Sequence, residues 1–187
     1  ELRLVRSPSA GQRWVAIAGD YFRGGQDRKA FEVQKAMYIG GILQTEDELM
    51  RVVNFYTSFD VPYAAAKILE KEMNAGRISA NYQRLELLAN LYQVAREFDR
   101  AIPVIERAAE MAPDGKMYER LGRSYSELQN WADAEDALIK AINKGGLSDA
   151  GLAWVLVGQS RYEREDRSGA REAFRNANHR GGRGWID

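Results

Sequence analysis

Side chains able to do bond-making chemistry are few and scattered. The one histidine, His179, stands between Asn178 and Arg180, and there is no cysteine. A nucleophile needs a base within hydrogen-bond reach, and Ser124 and Ser126 have no histidine near them in sequence. His179 reads instead as part of a basic helix C-terminus, where positive charge suits the helix dipole. Two acidic runs, Glu46-Asp47-Glu48 and Glu163-x-Glu165-Asp166, carry carboxylates that a hard cation could use. Neither contains the glycine-centred loop of a calcium site, and Glu46-Asp47-Glu48 fits a helix start, where negative charge is favoured. Gly19, Gly24 and Gly25 form no phosphate loop behind a strand. The reading is therefore non-enzymatic, with no catalytic residue, no metal and no cofactor. Recognition chemistry remains. Asn54, Asn90, Arg123 and Gln159 recur at spacings of 36, 33 and 36 residues. Asparagine and glutamine amides both donate and accept, which suits an extended peptide backbone. Arg123, with Arg120 one turn before it, suits a carboxylate.

The elements that must position these residues come from one stretch, Tyr118 to Gly146. Its pattern is aromatic-x2-Leu-Gly-x2-Tyr, then Ala-x3-Leu-x2-Ala, carried by Tyr118, Leu121, Gly122, Tyr125, Ala134, Leu138 and Ala141. It resembles the tetratricopeptide signature of two helices in about 34 residues. Laid along the chain, the same pattern starts near Gly11, Glu46, Tyr82, Gly115 and Gly151, at spacings of 35, 36, 33 and 36. The first repeat carries Trp14, Ile17, Ala18, Tyr21, Ala30 and Met37, with Gly24-Gly25 between its helices and Gly40-Gly41 behind the second. The second repeat matches least, because Glu72 stands where a small residue is expected. In the fifth, Arg161 takes the tyrosine position. Small residues at the helix crossing let the axes approach to about 8–10 Å. No pair can bury its apolar face alone, so neighbours must stack. The expectation is an all-α tetratricopeptide-repeat superhelical solenoid of five helix pairs, a single array over residues 1–187. After Gly182, Trp185 and Ile186 read as the start of a further, incomplete capping element.

Several segments resemble a narrower family. They are Arg6-Ser7-Pro8-Ser9-Ala10-Gly11-Gln12-Arg13-Trp14, Val61-Pro62-Tyr63 with Ala65-Ala66-Lys67-Ile68-Leu69-Glu70-Lys71, Leu85-Glu86-Leu87-Leu88-Ala89, Arg96-Glu97-Phe98-Asp99-Arg100-Ala101-Ile102 and Lys144-Gly145-Gly146-Leu147. Together they are similar to the periplasmic tetratricopeptide proteins encoded beside TonB, ExbB and ExbD in Gram-negative bacteria. That resemblance implies a periplasmic accessory of an energy-coupled envelope complex, with TonB-, ExbB- or ExbD-type components as partners. It brings no catalytic motif.

Bulk properties set limits on partners. Lys+Arg and Asp+Glu both total 27, so the chain lacks the basic footprint that nucleic-acid binding needs. No apolar run approaches the ~18 residues of a membrane span. A start at Glu1 and an end at Gly-Trp-Ile-Asp are expected of a piece of a longer protein, which leaves open whether a signal peptide or anchor preceded it.

In tetratricopeptide proteins the first helices line the concave face, and the ninth residue of each repeat faces the groove. Here that position holds Gly19, Asn54, Asn90, Arg123 and Gln159. The fifth holds Val15, Met50, Glu86, Glu119 and Val155, and the twelfth holds Phe22, Thr57, Gln93, Ser126 and Tyr162. The expected peptide-binding set is Asn54, Asn90, Arg120, Arg123 and Gln159, with Phe22 and Tyr162 as apolar anchors. Two alternatives stand beside this reading. A helical-repeat RNA binder would read one base per repeat, which neutral charge and Glu86 and Glu119 oppose. A chaperone-tail clamp would use Met50, Asn54, Leu87, Lys116 and Arg120, and methionine and leucine fail it at two positions. A homodimer stays open.

Overall fold

The computed structural model describes residues 8–180, with side chains placed for 11–178. The expected element around Trp185 and Ile186 lies outside the described residues, as does the His179 side chain. Among the described residues there are ten α-helices and no strand. They are α1 (Pro8–Arg23), α2 (Asp27–Ile39), α3 (Glu46–Ser58), α4 (Pro62–Asn74), α5 (Tyr82–Val94), α6 (Phe98–Met111), α7 (Lys116–Glu127), α8 (Trp131–Lys144), α9 (Ala150–Glu163) and α10 (Arg167–Arg180). Odd-numbered helices are the first and even-numbered helices the second of five pairs, in the register the sequence sets. The fold is an all-α tetratricopeptide-type helical solenoid.

One turn recurs in every pair. The fifteenth residue of each repeat, Gly25, Asp60, Arg96, Gln129 or Glu165, has φ between 57° and 67°. The following N–H, from Gln26, Val61, Glu97, Asn130 or Asp166, donates at 2.8–2.9 Å to the carbonyl of Tyr21, Tyr56, Tyr92, Tyr125 or Arg161. This is the Schellman closure, which satisfies a carbonyl left over at the helix end. Four of the five turns hold a side chain in the left-handed region, at roughly 1–2 kcal/mol each. The backbone bond sets the turn, and glycine is not required for it.

The helix crossings are set by small residues. Ala30, Ala65, Ala101, Ala134 and Ala170 occupy one repeat position and all five are buried. A Cβ on Gly122 would sit 2.5 Å from Leu138 Cγ and 3.1 Å from the Ala134 carbonyl oxygen. On Gly158 it would run into the Phe174 ring. The α7–α8 and α9–α10 pairs therefore approach as closely as the pattern requires.

Contacts divide the chain into two units, one ending at Ala80 and the other starting at Asn81. The first contains α1–α4. Leu49, Val52, Val53, Ala65 and Leu69 form its buried core. Phe31 stacks on Phe59 at 4.8 Å between ring centres and meets the edge of Tyr56 at 4.8 Å. The acidic run at Glu46 does open a helix. Thr45 Oγ1 accepts from the Glu48 N–H at 3.3 Å, and Glu48 Oε2 accepts from the Thr45 and Gln44 N–H groups at 3.0 and 2.9 Å. Those backbone donors hold the Glu48 carboxyl below its ordinary range. Glu72, at the expected small position, is fully buried. Tyr38 Oη donates to its Oε1 at 2.7 Å, while its buried Oε2 has the Arg77 ion pair and no hydrogen bond.

The second unit contains α5–α10. Leu85, Ala89, Tyr92, Ile105, Ala108 and Leu138 are buried. Leu138, Val157 and Ala173 form one cluster from α8 through α9 to α10, with Trp154, Ile139, Ile142 and Leu156 packed against it. Asp149 opens α9 by accepting from the Leu152 N–H at 2.9 Å. Arg161, in place of the expected tyrosine, donates from Nε to Glu135 Oε1 at 2.7 Å and from Nη1 to the Gly169 carbonyl at 3.1 Å.

Candidate functional site

The first helices of the second unit carry a closed polar network. Arg120 on α7 reaches α5, where Gln93 Oε1 accepts from Nε at 3.1 Å and from Nη2 at 2.6 Å. Glu86 Oε1 lies 3.9 Å from Nη1. Gln93 Nε2 donates to Ser124 Oγ at 2.9 Å, and Ser124 Oγ donates to the Arg120 carbonyl at 3.1 Å. Burial lowers the Arg120 pKa, and the Glu86 carboxylate opposes that shift. Burial also raises the Tyr82 phenol, with Glu86 adding to it. Every member of this seam has a partner, as a half-buried polar group requires.

The first helices of the first unit are built differently at the same repeat positions. Where α5 and α7 place Glu86, Gln93, Arg120 and Ser124, α1 and α3 place Val15, Phe22, Arg51 and Phe55. Only the arginine is kept. These four residues line a cleft of about 480 Å³, together with Ala16, Ala18, Gly19, Arg23 and Gln34. Phe22 and Phe55 meet edge to face at 6.4 Å, and Phe22 is 60% exposed. Arg51 makes no hydrogen bond or ion pair among the described residues. Its charge acts on Glu48, but that carboxylate is committed to the Gln44 and Thr45 N–H groups. Arg23 is paired with Asp20.

Gln34, on α2, lines the same cleft. It is 8% exposed, and its amide makes no hydrogen bond among the described residues. At its repeat position the other four pairs hold Leu69, Ile105, Leu138 and Phe174. A polar residue where four repeats place large apolar ones was the signal available in sequence. Counting groove positions only on first helices missed it. A wider, more open hollow of about 770 Å³ lies between Tyr21 and Val33, where Lys29 is taken up by Gln26 and the Tyr21 ring.

The expected binding residues fall as follows. Asn54 on α3, Asn90 on α5, Arg123 on α7 and Gln159 on α9 are all exposed. The side chains of Asn54, Asn90 and Gln159 make no hydrogen bond among the described residues. Arg123 donates to Glu119 Oε1 at 2.7 Å. The Gln93–Ser124 bond ties α5 to α7 one turn beyond Asn90 and one residue beyond Arg123, so these two stand on adjoining helices. Arg120 is turned inward, with its donors on Gln93. Phe22 and Tyr162 are exposed. Met50, counted as a groove residue, is buried instead, because α3 rotates it toward the core beside Leu49 and Val53. The chaperone-tail set is no better presented, since Lys116 is held by Asp114 at 3.0 Å and Arg120 by Gln93. Among the described residues no cluster of three or more histidine, cysteine, aspartate or glutamate side chains could hold a metal. None of the described helices is long and apolar enough to cross a membrane.

Comparison with known proteins agrees with the fold. The tetratricopeptide repeat family model matches residues 85–116. No curated protein matches the chain. Among solved structures, MamA AMB-1 superposes with a TM-score of 0.67 at 17% identity, covering 92% of each chain. A second MamA structure gives 0.65 at 16%, covering 95% of this chain and 98% of that one. MamA from Desulfovibrio magneticus RS-1 gives 0.62 at 16%, covering 90% and 93%. At these identities the likeness is one of fold.

Proposed function

We propose that this chain is a non-enzymatic scaffold that holds extended partner segments against its first helices. The fold supports protein interaction in general. The observation that carries the finer reading is the set of uncommitted amides: Asn54, Asn90 and Gln159 stand exposed at one repeat position, without a hydrogen bond of their own. An extended peptide exposes donors and acceptors along its length, and an amide side chain meets both. Arg123, beside Asn90, adds charge for a partner carboxylate. The segments similar to TonB-associated periplasmic proteins motivate a periplasmic envelope complex as the setting.

The test begins with affinity capture from cell envelopes and identification of the captured protein. Calorimetry then compares the parent with Asn90→Ala/Arg123→Ala and with Lys140→Glu, a second-helix change at a side chain paired to Asp136 at 2.7 Å. The double variant is expected to lose affinity while melting normally. Loss in Lys140→Glu with none in the double variant would move the site to the second-helix face.

A further inference from the structure

The internal repeat supplies its own comparison for Arg51. At the matching position, Arg120 takes an amide oxygen from Gln93 and lies near the Glu86 carboxylate. At Arg51 the residues that would supply those acceptors are Phe22 and Val15. The backbone frame is kept and the guanidinium is kept, but its acceptors are replaced by apolar surface. Unlike Arg120, Arg51 stays exposed, with a charge that nothing among the described residues pairs.

Gln34 is an independent observation at the same place. Gln34 is largely buried as a residue, yet its amide atoms are not sealed from solvent, and with no bond among the described residues they stand open to the cleft. It stands in the cleft that the aromatic rings enclose. A planar amide with one donor and one acceptor face is what a peptide bond pairs with.

We propose that this cleft takes an extended acidic–apolar peptide segment, with its carboxylate on Arg51, a backbone amide on Gln34 and an apolar side chain between Val15, Phe22 and Phe55. The proposal rests on the reading that partner segments lie against the first helices, and it names the chemistry for one part of that surface. Charge complementarity selects the occupant. The cleft offers an unpaired cation and no free carboxylate, since Asp20 is held by Arg23 and Glu48 by the cap of α3. The ligand carboxylate takes the role of Glu86, and its apolar neighbour covers the rings that replaced Gln93 and Ser124.

The probe is a fluorescein-labelled octapeptide alternating phenylalanine and aspartate, followed by anisotropy. Two control peptides carry lysine for aspartate or serine for phenylalanine. The acidic–apolar probe is expected to bind, and both controls to bind at least about tenfold more weakly. Arg51→Glu should weaken the probe by about tenfold or more, since it converts attraction to repulsion at an exposed site that does not hold the fold. Val15→Glu/Phe22→Gln/Phe55→Ser installs the seam of the second unit in the cleft and should abolish binding. A melting curve for each variant confirms folding. The proposal is overturned if no probe binds, if the lysine peptide binds as well, or if folded Arg51→Glu binds like the parent. Should the probe instead be lost only in Asn90→Ala/Arg123→Ala, the cleft assignment fails while the scaffold reading stands. Failure of both variant sets with the captured partner would count against the scaffold reading itself.

Discussion

Arg51 and Arg120 stand at the sixth position of their repeats, in surroundings of opposite character. The seam between α5 and α7 half-buries its guanidinium and supplies acceptors from Gln93 and Glu86. The cleft between α1 and α3 surrounds its guanidinium with Val15, Phe22 and Phe55 and leaves it in water. The seam satisfies itself and gives little to a partner. The cleft leaves an amide and a cation unmet. One helix-pair frame therefore serves two ends, and the choice depends on three side chains at positions the frame does not constrain. Removing a charged group from water is tolerated only when acceptors replace the water. Without them Arg51 must stay hydrated until something else supplies a carboxylate.

That contrast can be broken most forcefully through the helix that carries Arg120 and Ser124. Gly122→Val would drive a side chain into Leu138 and the Ala134 carbonyl, parting α7 from α8 at a cost of about 3 kcal/mol. Urea denaturation reads the loss, and an unchanged midpoint would refute the close crossing. Next in size is Gln93→Leu, which removes the oxygen that accepts from Arg120 and the amide that donates to Ser124. It should destabilise by about 2 kcal/mol, while Phe22→Leu at the matching cleft position changes stability by less than about 0.5 kcal/mol. Equal melting shifts for the two would erase the distinction between seam and cleft.

Gln34→Leu reverses the sign. It restores the residue type of Leu69 and Leu138 and places apolar surface at a largely buried position, so it should stabilise by about 1 kcal/mol. A lowered melting temperature would show that the amide is satisfied within the protein. The smallest pair tests the frame that both regions share. Gly25→Ala should cost about 1 kcal/mol, because its φ of 67° suits glycine. Gln129→Gly, at the same turn position with φ 58°, should gain a few tenths to about 1 kcal/mol. Calorimetric melting of both variants checks whether the two turns are equivalent.

The helix pairs were legible because close packing imposes the same sizes at the same offsets. The buried alanines at 30, 65, 101, 134 and 170 mark every crossing. The turns were legible only at Gly25, since a backbone bond closes the others over aspartate, arginine, glutamine and glutamate. Asn54, Asn90, Arg123 and Gln159, which the repeat pattern puts on the groove side of the first helices, are exposed. The different states of Arg51 and Arg120 were harder to see. They depend on the twelfth residue of one repeat meeting the sixth of the next, a pairing that no single repeat displays. Gln34 is not legible as a cleft residue, because the repeat pattern places its helix on the far side of the groove.

Glu72 has a consequence beyond holding α2 to α4. Tandem repeats share a frame, so a chain emerging from synthesis can stack one pair on the wrong neighbour. A carboxylate buried at this position tolerates no such slip. It needs the Tyr38 phenol from one repeat earlier and the Arg77 guanidinium just behind it. At the position of Tyr38 the later repeats hold Met73, Ala109, Ile142 and Asn178, and none of them offers that phenol. A mis-stacked neighbour would leave a buried charge short of its donor, at a penalty of several kcal/mol. Glu72 therefore ties α4 to the repeat before it, at the end of the chain that holds the cleft.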